Sequence, residues 1–189
     1  MNIVLITDSY PPEIRSASHL MQEMAEELRS RGNRITVLTS YPQYNLADDF
    51  DGRHFEELTL ENDIEVIRIR TLPHHKVNFF IRGISQLTLP YFFLYKYKKY
   101  LRQKPDIVLV YSPPLPLAIA GKKIREKYGA KFILNIQDIF PQNAIDLGVL
   151  KSTALIGFFE WIEKAVYKSA DVITAHSEGN HNFLLRTKR

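Results

Sequence analysis

The 189-residue chain contains no cysteine. This absence excludes a disulfide framework, a thiolate metal site and a cysteine nucleophile, and it favours a reducing compartment. Long hydrophobic runs are also missing. The apolar stretch at residues 3–7 is too short for a signal sequence or a membrane span, and no basic region precedes it. Together these features predict a cytoplasmic protein whose first apolar stretch is a core strand.

Two nucleotide-binding motifs are missing as well. The string G-x-G-x-x-G does not follow the first predicted strand, where Pro11-Pro12-Glu13 stands instead, and no G-x-x-x-x-G-K-[ST] string occurs. Nicotinamide dehydrogenases and P-loop kinases are therefore poor candidates. Adjacent His74 and His75 have no nearby carboxylate, and the spacing of His176 and His181 does not place them on one helix face. We expect no metal ion and no other cofactor.

What the chain does contain is a regular alternation of apolar strands and amphipathic helices. An apolar fraction of 45% and a charged fraction of 24% are typical of a soluble globular protein. Strands are predicted at residues 2–7, 34–39, 64–69, 107–111, 132–136 and 172–175, and helices at about 18–31, 117–128 and 153–168, with a last short helix opening at 176–179. This order predicts an α/β fold, a doubly wound, mainly parallel Rossmann-like sheet with helices on both faces, as a single domain over residues 1–189.

Two stretches interrupt this alternation. Residues 41–62 are polar and acidic without a sustained apolar period, so a long loop is predicted there. Residues 76–104 contain helix-like segments on either side of Pro90, which is expected to break or kink the helix.

Four strand ends carry polar segments, at residues 8–12, 111–114, 137–138 and 176–178. Because the carboxyl ends of parallel strands meet at one edge of a sheet, these segments are expected to surround a common site. Their hydroxyl, carboxylate and imidazole groups suit a polyol ligand. The alternative is that polar residues collect there only because loops are polar in general.

The loop of residues 13–18 leads into the first predicted helix. Free amide groups and the positive dipole end at a helix amino terminus can hold a phosphate, and Arg15 can add a charge-assisted contact. Ser16 or Ser18 can instead be an ordinary helix cap. The two roles are compatible with each other.

Several of these segments resemble a known family. The first strand, Tyr10-Pro11-Pro12, the small-residue loop, the amphipathic helix and residues 31–39 look like the amino-terminal domain of the retaining nucleotide-sugar glycosyltransferases of family four, which have the B-type fold. Residues 170–179 are similar to the strand and helix near the end of that domain. Residues 136–141 most resemble bacterial enzymes that build capsule, O-antigen or other exopolysaccharide. The resemblance covers essentially the whole chain.

The resemblance implies transfer of a sugar, with retention of anomeric configuration, from a nucleoside diphosphate sugar to a polysaccharide or lipid-linked acceptor. In two-domain members the first domain supplies much of the acceptor site and the second holds most of the donor nucleotide. The chain is then the acceptor-side half of such an enzyme, without the donor-binding second domain. No nucleic-acid partner is expected.

Asp138 is the candidate catalytic or sugar-positioning residue, and capping of the following turn is its alternative role. The candidate substrate-binding residues are Tyr10, Arg15, Ser16, Ala17, His19, Tyr111, Ser112, Gln137, His176, Ser177 and Glu178.

Two positions depart from the pattern of the family. Many relatives have a Gly-Gly pair in the loop before the first helix, where the backbone approaches the donor diphosphate. This chain has Arg15-Ser16 there, and the side chains hinder such an approach. Many relatives also have a histidine after the fifth strand that contacts the donor sugar, whereas this chain has Gln137.

Acidic residues are absent from residues 66–105, which contain nine Lys and Arg, whereas residues 1–65 hold 13 acids against five Lys and Arg. Aromatic residues alternate with cations through this basic block. Such a composition suits a helix in the headgroup layer of an anionic membrane, on the inner face for a cytoplasmic protein. The candidate membrane contacts are Arg82, Phe92, Phe93, Lys96, Lys98 and Lys99. The alternative is a crossover helix whose aromatics pack on the sheet and whose lysines face water.

Two other functions stay open. One is a half-enzyme without catalytic activity that docks a separate donor-binding subunit through apolar surface near its carboxyl end. The other is a nucleic-acid module that uses the basic block and stacking tyrosines. It is the weaker hypothesis because no RNA- or DNA-binding motif accompanies the block.

We expect the purified 189-residue chain to show no detectable transferase turnover alone, because the diphosphate leaving group would lack its main clamp. Release of nucleoside diphosphate from a panel of nucleoside diphosphate sugars measures this, against a protein-free control. Release above that background by the chain alone would contradict the expectation.

Overall fold

The computed structural model describes residues 1–42, 45–46, 54–73 and 77–187. Its strands are β1 (Asn2–Ile6), β2 (Arg34–Ser40), β3 (Leu58–Glu61), β4 (Ile64–Ile69), β5 (Ile107–Ser112), β6 (Lys131–Ile136) and β7 (Val172–Ala175). Its helices are α1 (Ser16–Ser30), α2 (Phe79–Tyr100), α3 (Ala118–Tyr128), α4 (Gln142–Asp146), α5 (Thr153–Ser169) and α6 (Glu178–Thr187), and a 3-10 turn (Leu115–Leu117) precedes α3. His74, His75 and part of the predicted loop at 41–62 lie outside the described residues.

The strands form one sheet in the order β3-β4-β2-β1-β5-β6-β7. All pairs are parallel except β3 with β4. The α/β fold class and the six predicted strands are therefore confirmed. Gly32 lies two residues after the end of α1 and Gly129 directly follows α3, and both adopt positive φ angles, of 83° and 69°. This is the left-handed conformation expected where a helix stops.

Strand β3 lies within the stretch predicted to be a loop. Its four residues are too few to show an apolar period. The strand forms because it pairs with β4, with Thr59 opposite Val66, and the local sequence alone does not predict this pairing. Helix α4 is also shorter than a periodic pattern can reveal.

A break or a kink was expected at Pro90, and the break is wrong, because α2 runs through Pro90 without ending. Pro90 removes one backbone hydrogen bond, but Leu89, Phe93 and Tyr97 lie on successive turns and are all buried against the sheet. Packing along one face therefore keeps the helix continuous.

Two predicted membrane contacts are corrected by their burial in α2. Phe93 is fully buried in the core, so it has no surface with which to meet lipid. Lys96 is largely buried and forms an ion pair with Glu57, which also accepts a hydrogen bond from the Tyr100 hydroxyl at 2.7 Å. The hydrogen bonds that Lys96 and Tyr100 donate lower the pKa of Glu57 to about 2.

Helices cover the sheet on both faces and define two cores. On one face α1 packs Met21 and Ala25 against β1, β2 and β4. On the other face α2, α3 and α5 form what we call the three-helix layer, and they contribute Phe93, Ile124 and Val166 to a second core.

Asp171 holds the start of β7 against β6. Its carboxylate accepts hydrogen bonds from the Phe132 amide at 2.9 Å, the Arg125 Nε at 3.0 Å and the Lys131 Nζ at 3.1 Å. These bonds, the Phe132 amide foremost, hold the pKa of Asp171 well below its usual range. The edge strand that leads to His176 is thereby anchored.

None of the helices in the described ranges combines the length and apolar content needed to cross a membrane.

We predict that Gly121→Ala destabilises the domain. A Cβ at this position in α3 would lie 2.6 Å from both Phe132 Cε2 and Val110 Cγ2, so the helix would have to move off the sheet. We expect the free energy of unfolding in urea to fall by about 1–3 kcal/mol. The matched control is Gly157→Ala in α5, which meets no atom within 4 Å and should raise stability by up to about 1 kcal/mol. Equal urea midpoints for Gly121→Ala and the unsubstituted chain would show that α3 does not pack this closely.

Candidate functional site

A cleft of about 340 Å³ opens at the carboxyl ends of β1, β5, β6 and β7. It is lined by Thr7, Asp8, Ser9, Arg15, Ser16, Ala17, Tyr111, Pro113, Gln137, Asp138 and His176. The cleft exists because the parallel strands all end at this edge, so the loops that follow them are brought together.

Seven of the residues predicted from the sequence line this cleft: Arg15, Ser16, Ala17, Tyr111, Gln137, Asp138 and His176. They come from loops far apart in the chain, which the tertiary structure brings to one place.

Five other predicted residues do not line the cleft. Tyr10 and Ser112 are buried, with 4% and 2% of their surfaces exposed. His19 is exposed on α1, and Glu178 is exposed in the first turn of α6. The Ser177 hydroxyl accepts a hydrogen bond from the backbone amide of Asn180 at 3.2 Å and so caps α6. Tyr10, Ser112 and Ser177 are each adjacent in sequence to a residue that lines the cleft, whereas His19 and Glu178 are not.

Tyr10 belongs to the core under α1. Burial raises its pKa, with Glu61 and Glu26 adding to the shift and Arg68 opposing it. Its neighbour Pro11 is held by Arg68, whose guanidinium donates to the Pro11 carbonyl at 2.9 Å. The Tyr10–Pro11 turn is therefore a support for the site, not a wall of it.

One wall of the cleft is a network of buried polar groups. The Asp8 carboxylate accepts a hydrogen bond from the Ser40 hydroxyl at 2.9 Å, and the Glu13 carboxylate accepts one from the Ser9 hydroxyl at 2.7 Å. Arg15 lies 3.9 Å from Asp8 and 3.7 Å from Glu13, measured from its Nη1 to the carboxylate oxygens. Both carboxylates are more than nine-tenths buried, so this guanidinium is their nearby countercharge.

The position of Arg15 changes its expected role. The sequence predicted a phosphate contact, but in the structure the guanidinium already faces two carboxylates. Arg15 is also the N-cap residue of α1 and makes no side-chain cap, and neither Ser16 nor Ser18 takes that role. Ser18 is instead buried inside the helix face.

The opposite wall is organised by Asn180. Its amide nitrogen donates to the Gln137 carbonyl at 3.1 Å and lies 3.2 Å from His176 Nδ1. Because an amide nitrogen can only donate, a hydrogen bond to His176 requires an unprotonated Nδ1, which leaves the ring proton on Nε2. The side chain of Gln137 donates to the Asn135 Oδ1 at 2.6 Å, so this wall is held in place from both sides.

Asp138 lies where two grooves meet. It lines the cleft and, with His176, a second groove of about 410 Å³ that runs along α4 and α6. Its side chain is exposed and forms no hydrogen bond within the described part of the chain. Burial raises the pKa of the Tyr111 hydroxyl, and the negative charge of Asp138 raises it further while Arg15 opposes the shift. The side-chain cap considered as an alternative role for Asp138 is not formed.

Sequence reasoning missed some residues of the site. Asp8, Ser9 and Pro113 lie in the predicted strand-end segments, and Thr7 is the last residue of the first predicted strand. No periodicity tells which side chain of a loop turns toward a cleft. Asn180 had a usable signal, since it stands one helical turn after His176.

The fold and the cleft define a class. A doubly wound, mainly parallel sheet whose carboxyl edge is lined by carboxylate, amide, imidazole and hydroxyl groups defines an α/β domain with a polar cleft at that edge.

The chain belongs to the family described as glycosyl transferase 4-like domain, which matches residues 17–188. This confirms the family resemblance. One relative is a probable glycosyltransferase, WbjE, of Pseudomonas aeruginosa, which is 30% identical over 91 residues. That match spans 48% of this chain and only 22% of the relative.

We predict that Arg15→Ala destabilises the domain, because it removes the cation beside two buried carboxylates. We expect a loss of about 1–2 kcal/mol in the free energy of unfolding in urea. Arg31→Ala is the matched control, since it breaks an exposed ion pair with Glu27 within one helix turn. That change should cost less than about 0.5 kcal/mol. Equal small losses for both variants would show that Asp8 and Glu13 do not depend on Arg15.

Proposed function

We propose that this chain is the acceptor-side domain of a retaining glycosyltransferase. It binds the sugar of a polysaccharide or lipid-linked acceptor in the cleft, while a second domain holds most of the nucleoside diphosphate sugar. The membership of the chain in the glycosyl transferase 4-like family supports the transferase activity. The observation that most supports the acceptor-side role is the exposed Asp138 carboxylate, which faces the cleft without a hydrogen bond in the described structure.

The chemistry of the cleft suits hydroxyl groups better than phosphates. The exposed Asp138 presents a carboxylate, which accepts hydrogen bonds from sugar hydroxyls, and hydrogen bonds to charged acceptors are the stronger ones. Arg15 is the one Lys or Arg that lines the described cleft, and it already lies beside Asp8 and Glu13. Among the described residues that line the cleft, two carboxylates stand against this one guanidinium, which is an unfavourable balance for an anionic diphosphate and favours its binding on another domain.

Asp138 is the residue that we assign to the reacting hydroxyl of the acceptor. Its carboxylate can orient that hydroxyl and accept its proton as the oxygen bonds to the anomeric carbon of the donor sugar. The anomeric C–O bond to the nucleoside diphosphate breaks in the same step, and the oxygen enters on the face from which the diphosphate leaves, so the configuration is retained. Gln137 and His176 flank it and are held by Asn180, so they can bind neighbouring hydroxyls in a fixed arrangement.

The proposal is tested by titrating the isotope-labelled chain with a panel of neutral and amino methyl glycosides, followed by amide chemical shifts. We expect at least one glycoside to shift the signals of Asp8, Tyr111 and His176, which line the cleft. Asp138→Asn should weaken that binding by about tenfold, because a charged hydrogen-bond acceptor is replaced by a neutral one.

The matched control is Asp63→Asn, which makes the same chemical change at an exposed carboxylate paired with Arg29 in the turn between β3 and β4. It should leave the affinity unchanged. Shifts at the cleft with free nucleoside diphosphates but with none of the glycosides would overturn the acceptor-side assignment in favour of a donor site.

A further inference from the structure

The three-helix layer exposes large aromatic side chains on its outer surface. On α2, Tyr91 and Tyr95 are 72% and 68% exposed, and on α5 Trp161 is 67% exposed. Helices of a globular protein normally turn polar residues toward water, so an outward apolar stripe on two of the three helices requires an explanation.

Helix α2 is apolar on both of its faces. Leu89, Phe93 and Tyr97 pack toward the sheet, with at most 2% of each residue exposed. Ile84, Tyr91 and Tyr95 are separated by seven and four residues, so they lie on one face, and all three are exposed. The outward stripe is therefore not part of the core of the domain.

Helix α5 repeats the arrangement. Its Ile162 and Val166 are buried, whereas Phe158 and Trp161 face outward with their rings stacked at a centroid distance of 6.3 Å. Both stripes project from the same side of the sheet, because α2 and α5 pack into one core.

Positive charge is concentrated in the same layer. Helices α2, α3 and α5 together contain ten Lys and Arg against three Glu. Lys96 and Lys99 also pair with Glu57, and Arg125 pairs with Asp171, but the cations still outnumber these five acids. On the opposite face of the sheet, α1 has three Glu and one Arg. The domain is thus electrically polarised across its sheet.

The cations of α3 lie between the two aromatic stripes, because α3 packs against both α2 and α5. A groove of about 360 Å³ between α2 and α3 is edged by Lys98, Lys123 and Lys127. Its one acidic residue, Glu126, pairs with Lys123 at 3.0 Å. Basic side chains in the centre with rings on either side match a flat, negatively charged and partly apolar surface.

We propose that the outer surface of the three-helix layer docks on an anionic membrane surface, with Tyr91, Tyr95, Phe158 and Trp161 in the headgroup region and the lysines against lipid phosphates. Amphipathic tyrosine and tryptophan rings favour that region, and cations there add electrostatic attraction. Docking is peripheral, since no helix in the described ranges is suited to span a bilayer. The proposal goes beyond the transferase function and does not depend on it.

Such docking leaves the cleft accessible. The cleft opens at the carboxyl edge of the sheet, whereas the layer covers one face of the sheet. A domain lying on this layer would therefore hold its cleft at the side, open both to the membrane surface and to the solution.

The only tryptophan of the chain, Trp161, reports on docking directly. We expect its fluorescence to shift to shorter wavelength when vesicles of phosphatidylcholine with phosphatidylglycerol are added to the 189-residue chain. Vesicles of phosphatidylcholine alone should cause little shift, and added salt should reverse the binding. Co-sedimentation with the same vesicles gives the apparent affinity.

Two variants test the two components of the surface while keeping the reporter. Lys123→Gln with Lys127→Gln should weaken binding about thirtyfold, and Tyr95→Ser should weaken it measurably. The matched controls lie on α1: Arg29→Gln with Arg31→Gln removes two cations, and Leu20→Ser removes an exposed apolar side chain. Both controls should bind as the unsubstituted chain does.

Three results would overturn the proposal. The first is equal affinity for neutral and anionic vesicles, and the second is no change in the fluorescence wavelength of Trp161 with either kind of vesicle. The third is binding of a single-stranded oligonucleotide or of a second copy of the chain, in place of vesicles, by the three-helix layer. None of these would affect the glycoside titration of the cleft, so the two proposals can fail separately.

Discussion

Parallel pairing of β1 with β2 on one side and β5 on the other is the constraint on which the rest of this molecule depends. Because every strand in this part of the sheet points the same way, the loops after β1, β5, β6 and β7 end at one edge and enclose one cleft. Parallel strands also need crossover helices, and these form the two layers that bury the sheet. The cleft and the helical layers are therefore two consequences of one pairing pattern.

Buried charge then gives the cleft its shape. Asp8 and Glu13 are almost fully buried and are kept by Arg15 and by serine hydroxyls, so the loop between β1 and α1 has few alternatives to the observed arrangement. On the other side the exposed Asp171 fixes the start of β7, the strand that leads to His176 in the cleft. Networks of this kind are costly when incomplete, and this makes them specific.

The two faces of the sheet differ in what their helices offer to solvent. The acidic face carries one helix, whereas the three-helix layer is basic and aromatic. Under the two proposals, the cleft at the edge would bind an acceptor while the three-helix layer contacts an extended anionic surface. Lipid-linked acceptors would make the two properties work together, because the acceptor and the docking surface would then lie in the same plane.

Much of the fold was accessible from sequence, because short apolar runs and helical periodicity are local signals. The strand ends also predicted the edge at which the cleft lies, and seven of its lining residues. Local signals failed where contacts with distant segments determine the structure. Strand β3 forms through its pairing with β4, and α2 continues through Pro90 because one of its faces is packed against the sheet. Phe93 and Tyr10 are buried by elements far along the chain. The sequence by itself determined the order of elements and the type of chemistry at each strand end. Only the tertiary structure decided which side chains face the cleft, which cations pair with acids and which aromatic side chains are exposed. The physical reason is that burial and pairing depend on contacts between segments that are distant in the sequence.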